Sequence, residues 1–235
     1  MPRELTVGSL FAGIGGWDLG LERAGMRSLW QCEIDRGCQR VLARHWPDVL
    51  RVRDVRRVGA GTVPTVDVLA GGFPCPVVSQ AARGRNTAEW LWPEYARIVR
   101  ELRPRYVLVE NVEGLLYAGR GFGDVLGDLA SCGFDATWRV LRASDFGAPH
   151  HRPRVWLVGY PNGDGKPDVS LDDEVAGLPQ LRRPVRAWPD PPVDVGMDDG
   201  LPGRPQRLRA LGNALVPAIA EFIGRRVIAR ESSVS

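Results

Sequence analysis

Lysine is nearly missing from this chain: Lys166 stands alone among 31 basic residues in a sequence of 235. Arginine therefore carries the positive charge, and its planar fork suits bidentate and stacked contacts with phosphate and base edges. A GC-rich coding sequence produces the same bias with no such purpose. Charge of one sign is lacking too. The formal net charge is only +3, too slight a surplus to argue for a nucleic-acid partner by itself. No apolar run approaches the roughly 18 residues of a membrane span, so no membrane association is expected. The opening Met1-Pro2-Arg3-Glu4-Leu5 has no basic stretch followed by an apolar one, so no signal peptide is expected and the cytoplasm is the expected compartment. The four cysteines, Cys32, Cys38, Cys75 and Cys132, include no C-x-x-C spacing, and no metal site is expected. What is present is ordinary for a folded protein. A composition 44% hydrophobic and 25% charged excludes wholesale disorder, and the length suits one core with a modest appendage.

Periodicity then divides the chain. Leu5 to Phe11 is a short apolar run that ends in glycines, and Trp17, Leu21 and Ala24 follow at helical spacing until Gly25. Arg27 to Glu33 reads as a second strand, and Cys38, Val41, Leu42 and His45 stripe a second helix that stops before Pro47. Val66 to Ala70 and Tyr106 to Val109 read as strands on either side of a helix striped by Tyr95, Ile98, Val99 and Leu102. Phe122, Val125, Leu126 and Leu129 stripe another helix, and Ala136 to Leu141 and Val155 to Val158 are two further strands. Such alternation predicts an α/β protein, a Rossmann-like, mostly parallel sheet with helices on both faces. After Gly159 the texture changes. Residues 161–205 hold 9 of the 19 prolines, show no sustained period and carry a net charge of −4, from nine acids against Lys166, Arg182, Arg183, Arg186 and Arg204. Leu215, Ile219, Phe222, Ile223 and Val227 return to helical spacing. The expected organisation is a core over 1–159, a short Pro-rich insert over 160–207 and a C-terminal helix over 208–235 that rejoins the core.

Several strand ends carry chemistry. Phe11-Ala12-Gly13-Ile14-Gly15-Gly16 closes the first strand and opens the first helix, where glycines permit close backbone approach. It is not a strict G-x-G-x-x-G, and a plain tight turn would look alike. Glu33 ends the second strand where an acid can accept from ribose hydroxyls, and together these favour an adenosine-containing ligand. Asp54 is a candidate for the adenine edge, with capping of the turn before the next strand an equal reading. Cys75, framed by Phe73-Pro74 and Pro76, follows the third strand directly; a free cysteine is more often a small buried apolar residue, but the rigid framing argues otherwise. Glu110-Asn111-Val112 ends the fourth strand, and Arg152 and Arg154 lead into the last, so a thiol, an acid and an arginine pair are expected at one rim. His45 and His151 read as structural, His45 on a core stripe.

In this order the motifs resemble those of the DNA (cytosine-5) methyltransferases, from Leu10 to Gly159 and again from Leu208 to Gly224. Phe11 to Gly16 is similar to the family's S-adenosylmethionine loop, Cys32-Glu33-Ile34-Asp35 to its ribose-binding acid, and Gly72-Phe73-Pro74-Cys75 to its catalytic motif. Glu110-Asn111-Val112 resembles the ENV motif, Arg152 and Arg154 the paired arginines of Q-x-R-x-R, and Gly212-Asn213-Ala214-Leu215-Val216-Pro217 the motif that returns to the cofactor pocket. The resemblance implies methyl transfer from S-adenosylmethionine to C5 of cytosine in double-stranded DNA. Cys75 would be the nucleophile that adds to C6, Glu110 the group at N3 and the exocyclic amine, and Arg154 the group at O2, with Arg152 supporting that arrangement or a phosphate. Phe11, Gly13, Gly15, Gly16, Glu33, Ile34, Asp54, Asn213 and Leu215 would hold the cofactor, and Pro74, Ser79, Arg83, Arg85 and Asn111 the substrate.

A base inside a duplex cannot reach such a pocket, so the target would be flipped out. Two departures stand out: Pro76 where the family commonly has Gln, and His150 in place of the first Gln of Q-x-R-x-R. The loop from Ser79 to Trp92 is also shorter than usual, and the insert Tyr160 to Arg207 is small for a target-recognition region. A short or degenerate target and strongly salt-dependent binding are therefore expected. A bacterial or phage setting and a monomer are expected, and whether a cognate restriction endonuclease accompanies it in the same system is left open by the sequence. Three other readings stay open at this stage: an RNA-acting cytosine-5 methyltransferase, a binding module without turnover, and a Rossmann-type oxidoreductase, which leaves Cys75, Glu110 and Arg154 without a shared purpose.

Overall fold

The computed structural model describes residues 3–75, 89–117, 119, 121–171 and 214–233. Seven strands, β1 (Thr6–Leu10), β2 (Arg27–Cys32), β3 (Leu50–Val52), β4 (Val68–Gly71), β5 (Tyr106–Val112), β6 (Phe134–Arg142) and β7 (Pro153–Pro161), form one sheet in the order β3-β2-β1-β4-β5-β7-β6. The strands from β1 to β5 are parallel, and β7 runs antiparallel between β5 and β6. Five α-helices are described: α1 (Gly16–Ala24), α2 (Arg36–His45), α3 (Trp92–Leu102), α4 (Phe122–Ser131) and α5 (Pro217–Ser232). The α/β architecture read from the sequence is the one observed.

Alternation along each strand sends side chains to two cores. Val68, Ala70, Tyr106, Leu108, Trp156 and Val158 pack with Trp17 and Leu21 of α1 and Ile219, Phe222 and Ile223 of α5. On the opposite face Leu69, Val107, Val109 and Leu157 pack with Tyr95, Ile98 and Val99 of α3 and Val125 and Leu129 of α4. Helices α1 and α5 approach unusually closely, because glycine lies at their contacts: a methyl group on Gly20 would collide with the Cβ of Ala220, and one on Gly224 would lie 2.8 Å from the Cβ of Ala24.

Three expectations need correcting. The strand β3 has no counterpart in the sequence reading, because Leu50–Val52 is only three residues long and none of them is fully buried. His45 is exposed rather than on a core stripe, its ring 5.9 Å from that of Trp46. And β7, Pro153–Pro161, is longer at both ends than the strand expected over Val155 to Val158, with Tyr160, Val169 and Leu171 buried in the core. That stretch is fastened to the last helix. The guanidinium of Arg230, 4% exposed, donates to both carboxylate oxygens of Asp164 at 2.8 and 2.9 Å and to the carbonyl of Pro167 at 2.9 Å. It also lies 4.7 Å over the ring of Tyr160. Lys166 and Arg105 both pair with Glu231, at 3.1 and 2.8 Å. No described helix is long and apolar enough to cross a membrane.

Candidate active site

The loop between β1 and α1 turns within a few residues because three of them adopt left-handed backbone: Phe11 at φ 52°, Gly13 at φ 56° and Gly15 at φ 90°. Backbone bonds from Ala12 N–H to the Cys32 carbonyl (3.0 Å) and from Gly15 N–H to the Ala12 carbonyl (2.9 Å) hold the turn. Glu33, just beyond β2, ties it from the side: one carboxylate oxygen accepts from Gly13 N–H at 2.7 Å and the other from Asp35 N–H at 2.8 Å. A carboxylate oxygen has more than one acceptor site, so both retain capacity for a ligand hydroxyl. Ile34 beside it is 63% exposed, an apolar surface open to a flat ring. Asp54 caps the short turn Val55–Arg57, accepting from Arg56 N–H at 3.0 Å; this is the capping role weighed for it above, and its side chain stays 37% exposed.

Across the loop, the segment before α5 comes back to the same place. A methyl group on Gly16 would lie 2.8 Å from the carbonyl oxygen of Leu215. Between them runs a cleft of about 270 Å³, whose walls include Ile14, Gly15, Gly16, His150, Arg152 and Leu215. His150, a departure from a motif in the sequence, is an exposed wall of this cleft, a role that nothing local in a Pro-His-His-Arg stretch marks.

A second cluster occupies the carboxyl ends of β4 and β5. Because β7 is reversed, its first residues lie at this same edge: Val112 pairs with Arg154 and Glu110 with Trp156, which puts Glu110 and Arg154 diagonally on one face. The Nε of Arg154 is 3.3 Å from Glu110 Oε1. Burial pushes the Glu110 carboxyl above its ordinary value, and the positive charges of Arg154 and then Arg152 oppose that shift. Arg152 has left-handed backbone at φ 37°, and burial, then the repulsion of Arg154, lowers its pKa.

Cys75 ends the first described segment, half-exposed, after the exposed Pro74. Gly72, three residues earlier, passes directly against the acid: a methyl group there would lie 2.9 Å from Glu110 Oε2 and 3.1 Å from the Glu110 carbonyl oxygen. Phe73 is buried among Trp90, Trp92 and Tyr95, with ring centroids 5.2, 5.4 and 6.4 Å away. Asn111, 4% exposed, spends its amide on the chain itself: Nδ2 donates to the Phe73 carbonyl at 3.0 Å and Oδ1 accepts from Val112 N–H at 2.8 Å. Of the residues expected at the site, the structure brings Cys75, Glu110, Arg152 and Arg154 to one edge, and Phe11, Gly13, Gly15, Gly16, Glu33 and Leu215 around one loop. Ser79, Arg83, Arg85 and Asn213 lie outside the described residues.

Fold and site together define an open α/β protein with a glycine-rich loop tied to Glu33 and, at the carboxyl ends of the sheet's central strands, a thiol, an acid and an arginine. The chain belongs to the C-5 cytosine-specific DNA methylase family, whose pattern matches residues 5–183. Among curated proteins it is 31% identical over 169 residues to the type II methyltransferase M.DsaV of Dactylococcopsis salina, covering 70% of this chain and 48% of that one. It is 39% identical over 165 residues to M.Eco47II of Escherichia coli, covering 67% and 40%. A solved E. coli structure described as a prophage-encoded DNA modification methyltransferase superposes with a TM-score of 0.56 at 30% identity, covering 67% of this chain and 47% of the other. The chain thus spans about half the length of the relatives it matches.

Proposed function

We propose that the chain transfers a methyl group from S-adenosylmethionine to C5 of cytosine in double-stranded DNA. The observation that carries this is the convergence, at one sheet edge, of Cys75 after β4, Glu110 at the end of β5 and Arg154 at the start of β7, with Glu110 and Arg154 3.3 Å apart. The loop fits the cofactor: Glu33 offers acceptors to ribose, Ile34 an apolar face, and the absent Cβ of Gly16 lets Leu215 close on the loop as a second wall of the cleft. When bound there, S-adenosylmethionine supplies an electrophilic methyl group.

The cytosine ring needs activation before C5 will take that group. The Cys75 thiolate adds to C6, forming an S–C bond and pushing an electron pair toward C5 and N3. Glu110 answers the charge at N3: burial raises its carboxyl, which favours the protonated form that can give N3 a proton as the thiolate adds. Arg154 places positive charge beside that acid and within reach of O2. C5 then bonds the methyl carbon as the methyl–sulfur bond breaks and its electron pair leaves on the cofactor's thioether; the C5 proton passes to water, the electron pair of that C–H bond expels the thiolate, and N3 returns its proton to the Glu110 carboxylate, restoring the ring and the free enzyme. The base is reached by flipping it from the duplex. Asn111 and Gly72 keep the thiol-bearing segment against the acid-bearing strand.

Wild-type protein incubated with labelled cofactor is expected to methylate duplex DNA and not RNA, and to form a covalent adduct with DNA containing 5-fluorocytosine, whose fluorine blocks the final loss at C5. Cys75→Ser should abolish both while still binding cofactor. Methylation of DNA without any adduct would remove Cys75 from the mechanism, and methylation of RNA alone would move the substrate class.

A further inference from the structure

Tyr95 lies on the core face of α3, wholly buried, where a phenylalanine would fill the same apolar stripe without burying a hydroxyl. Burying a hydroxyl is unfavourable unless it finds a partner, and this one finds two. Its oxygen is 2.9 Å from the Leu108 carbonyl and 3.2 Å from the Leu69 carbonyl. Leu69 lies in β4 and Leu108 in β5, neighbouring parallel strands in which Leu69 pairs with Val107 and Ala70 with Leu108. A phenol has one hydrogen, which is shared between the two carbonyls; each has a second lone pair beyond its sheet bond.

The ring is held as firmly as the hydroxyl. Trp92 stacks on it at 5.3 Å with 22° between planes, and Phe73 meets it edge-on at 6.4 Å. A methyl group on Gly71, the last residue of β4, would lie 3.0 Å from its Cε2. Burial raises the phenol pKa well above its ordinary value, so it remains a donor across the working pH range.

The two strands it bridges lead directly to the reacting groups, β4 through Gly72 and Phe73 to Cys75 and β5 to Glu110 two residues beyond Leu108. We propose that Tyr95 is a positioning residue for methyl transfer, its hydroxyl setting the spacing between the strand that delivers the Cys75 thiol and the strand that delivers the Glu110 carboxyl. This rests on the function proposed above. Thiol and acid must meet one cytosine ring from two strands, and a misplacement of about 1 Å can cost a factor of 100 in rate.

The test is Tyr95→Phe in the whole protein, which removes one oxygen and leaves the stripe filled. The expected result is a kcat lower by about tenfold, with KM for S-adenosylmethionine and for DNA within about twofold of wild type and adduct formation on 5-fluorocytosine DNA slowed in parallel. Val99→Ala, a truncation elsewhere in the same core, serves as the control for lost packing and should leave kcat unchanged. A Tyr95→Phe enzyme with wild-type kcat would overturn the proposal, as would an equal fall in kcat for Val99→Ala. A wild type that binds cofactor yet neither methylates nor forms adduct would overturn the proposed function, and this inference with it.

Discussion

Asp18, in the first turn of α1, has no exposed surface and accepts from the Ser9 hydroxyl at 3.0 and 3.1 Å on its two oxygens. Burial pushes its carboxyl up from 3.8 to about 6, with the neighbouring polar side chains of Gln31, Ser9 and Ser28 holding the shift back. Between these two values the folded protein keeps a proton that the unfolded chain has released, so stability falls as pH rises through that window, by about 3 kcal/mol at most. Asp18→Asn keeps an acceptor for Ser9 and removes the charge. Its stability advantage over wild type is expected to open between pH 4 and pH 6 and to stay open above, as followed by urea unfolding; a difference independent of pH would mean that Asp18 is not ionising there. The thiols give a second contrast. Burial first, then the negative charge of Glu33, pushes Cys32 and Cys38 up to about 12, whereas Cys75 is half-exposed. Iodoacetamide near pH 8 is expected to modify Cys75 in the folded protein and to spare Cys32 and Cys38, read by peptide mass spectrometry.

Among the elements, the α1–α5 contact decides between propensity and packing. Alanine is favoured over glycine in a helix interior by about 1 kcal/mol, yet a methyl group on Gly20 would meet the Ala220 methyl and stand 2.5 Å from the Pro217 carbonyl oxygen. Overpacking against backbone costs about 1–3 kcal/mol and wins. Gly20→Ala should therefore lower the melting temperature and weaken cofactor binding through Leu215, while Gly127→Ala on α4, with nothing within 4 Å of its new methyl, should raise the melting temperature. Opposite signs are expected from one substitution type. Much of this architecture was legible: each helix announced itself by a stripe, α1, α2 and α3 also by a closing Gly25, Pro47 and Pro104, and Cys75, Glu110 and Arg154 stood at strand ends where an open α/β sheet gathers its chemistry. What was not legible lacked a local signal. Three half-exposed residues do not make a period, so β3 passed unseen. Whether β7 runs with or against β5 depends on partners far away in sequence. The hydroxyl of Tyr95 hides on a stripe that any aromatic would satisfy.

For the molecule as a whole, the reversal of β7 fixes a travel distance. Its start lies beside the thiol edge and its end, at Pro161, beside the start of β6 at Phe134. The chain therefore departs at the far side of the sheet from the chemistry. Residues 162–171 climb back: by Leu171 the carbonyl accepts from Arg139 at 3.4 Å, and Arg139 stands opposite Trp156, partway up β7. That climb is bolted down by Arg230 and Glu231, so it behaves as stem rather than as blade. The stretch 162–171 thus works like the shank of a key, its length taken up in carrying the chain from the far side of the sheet back to mid-height at Leu171.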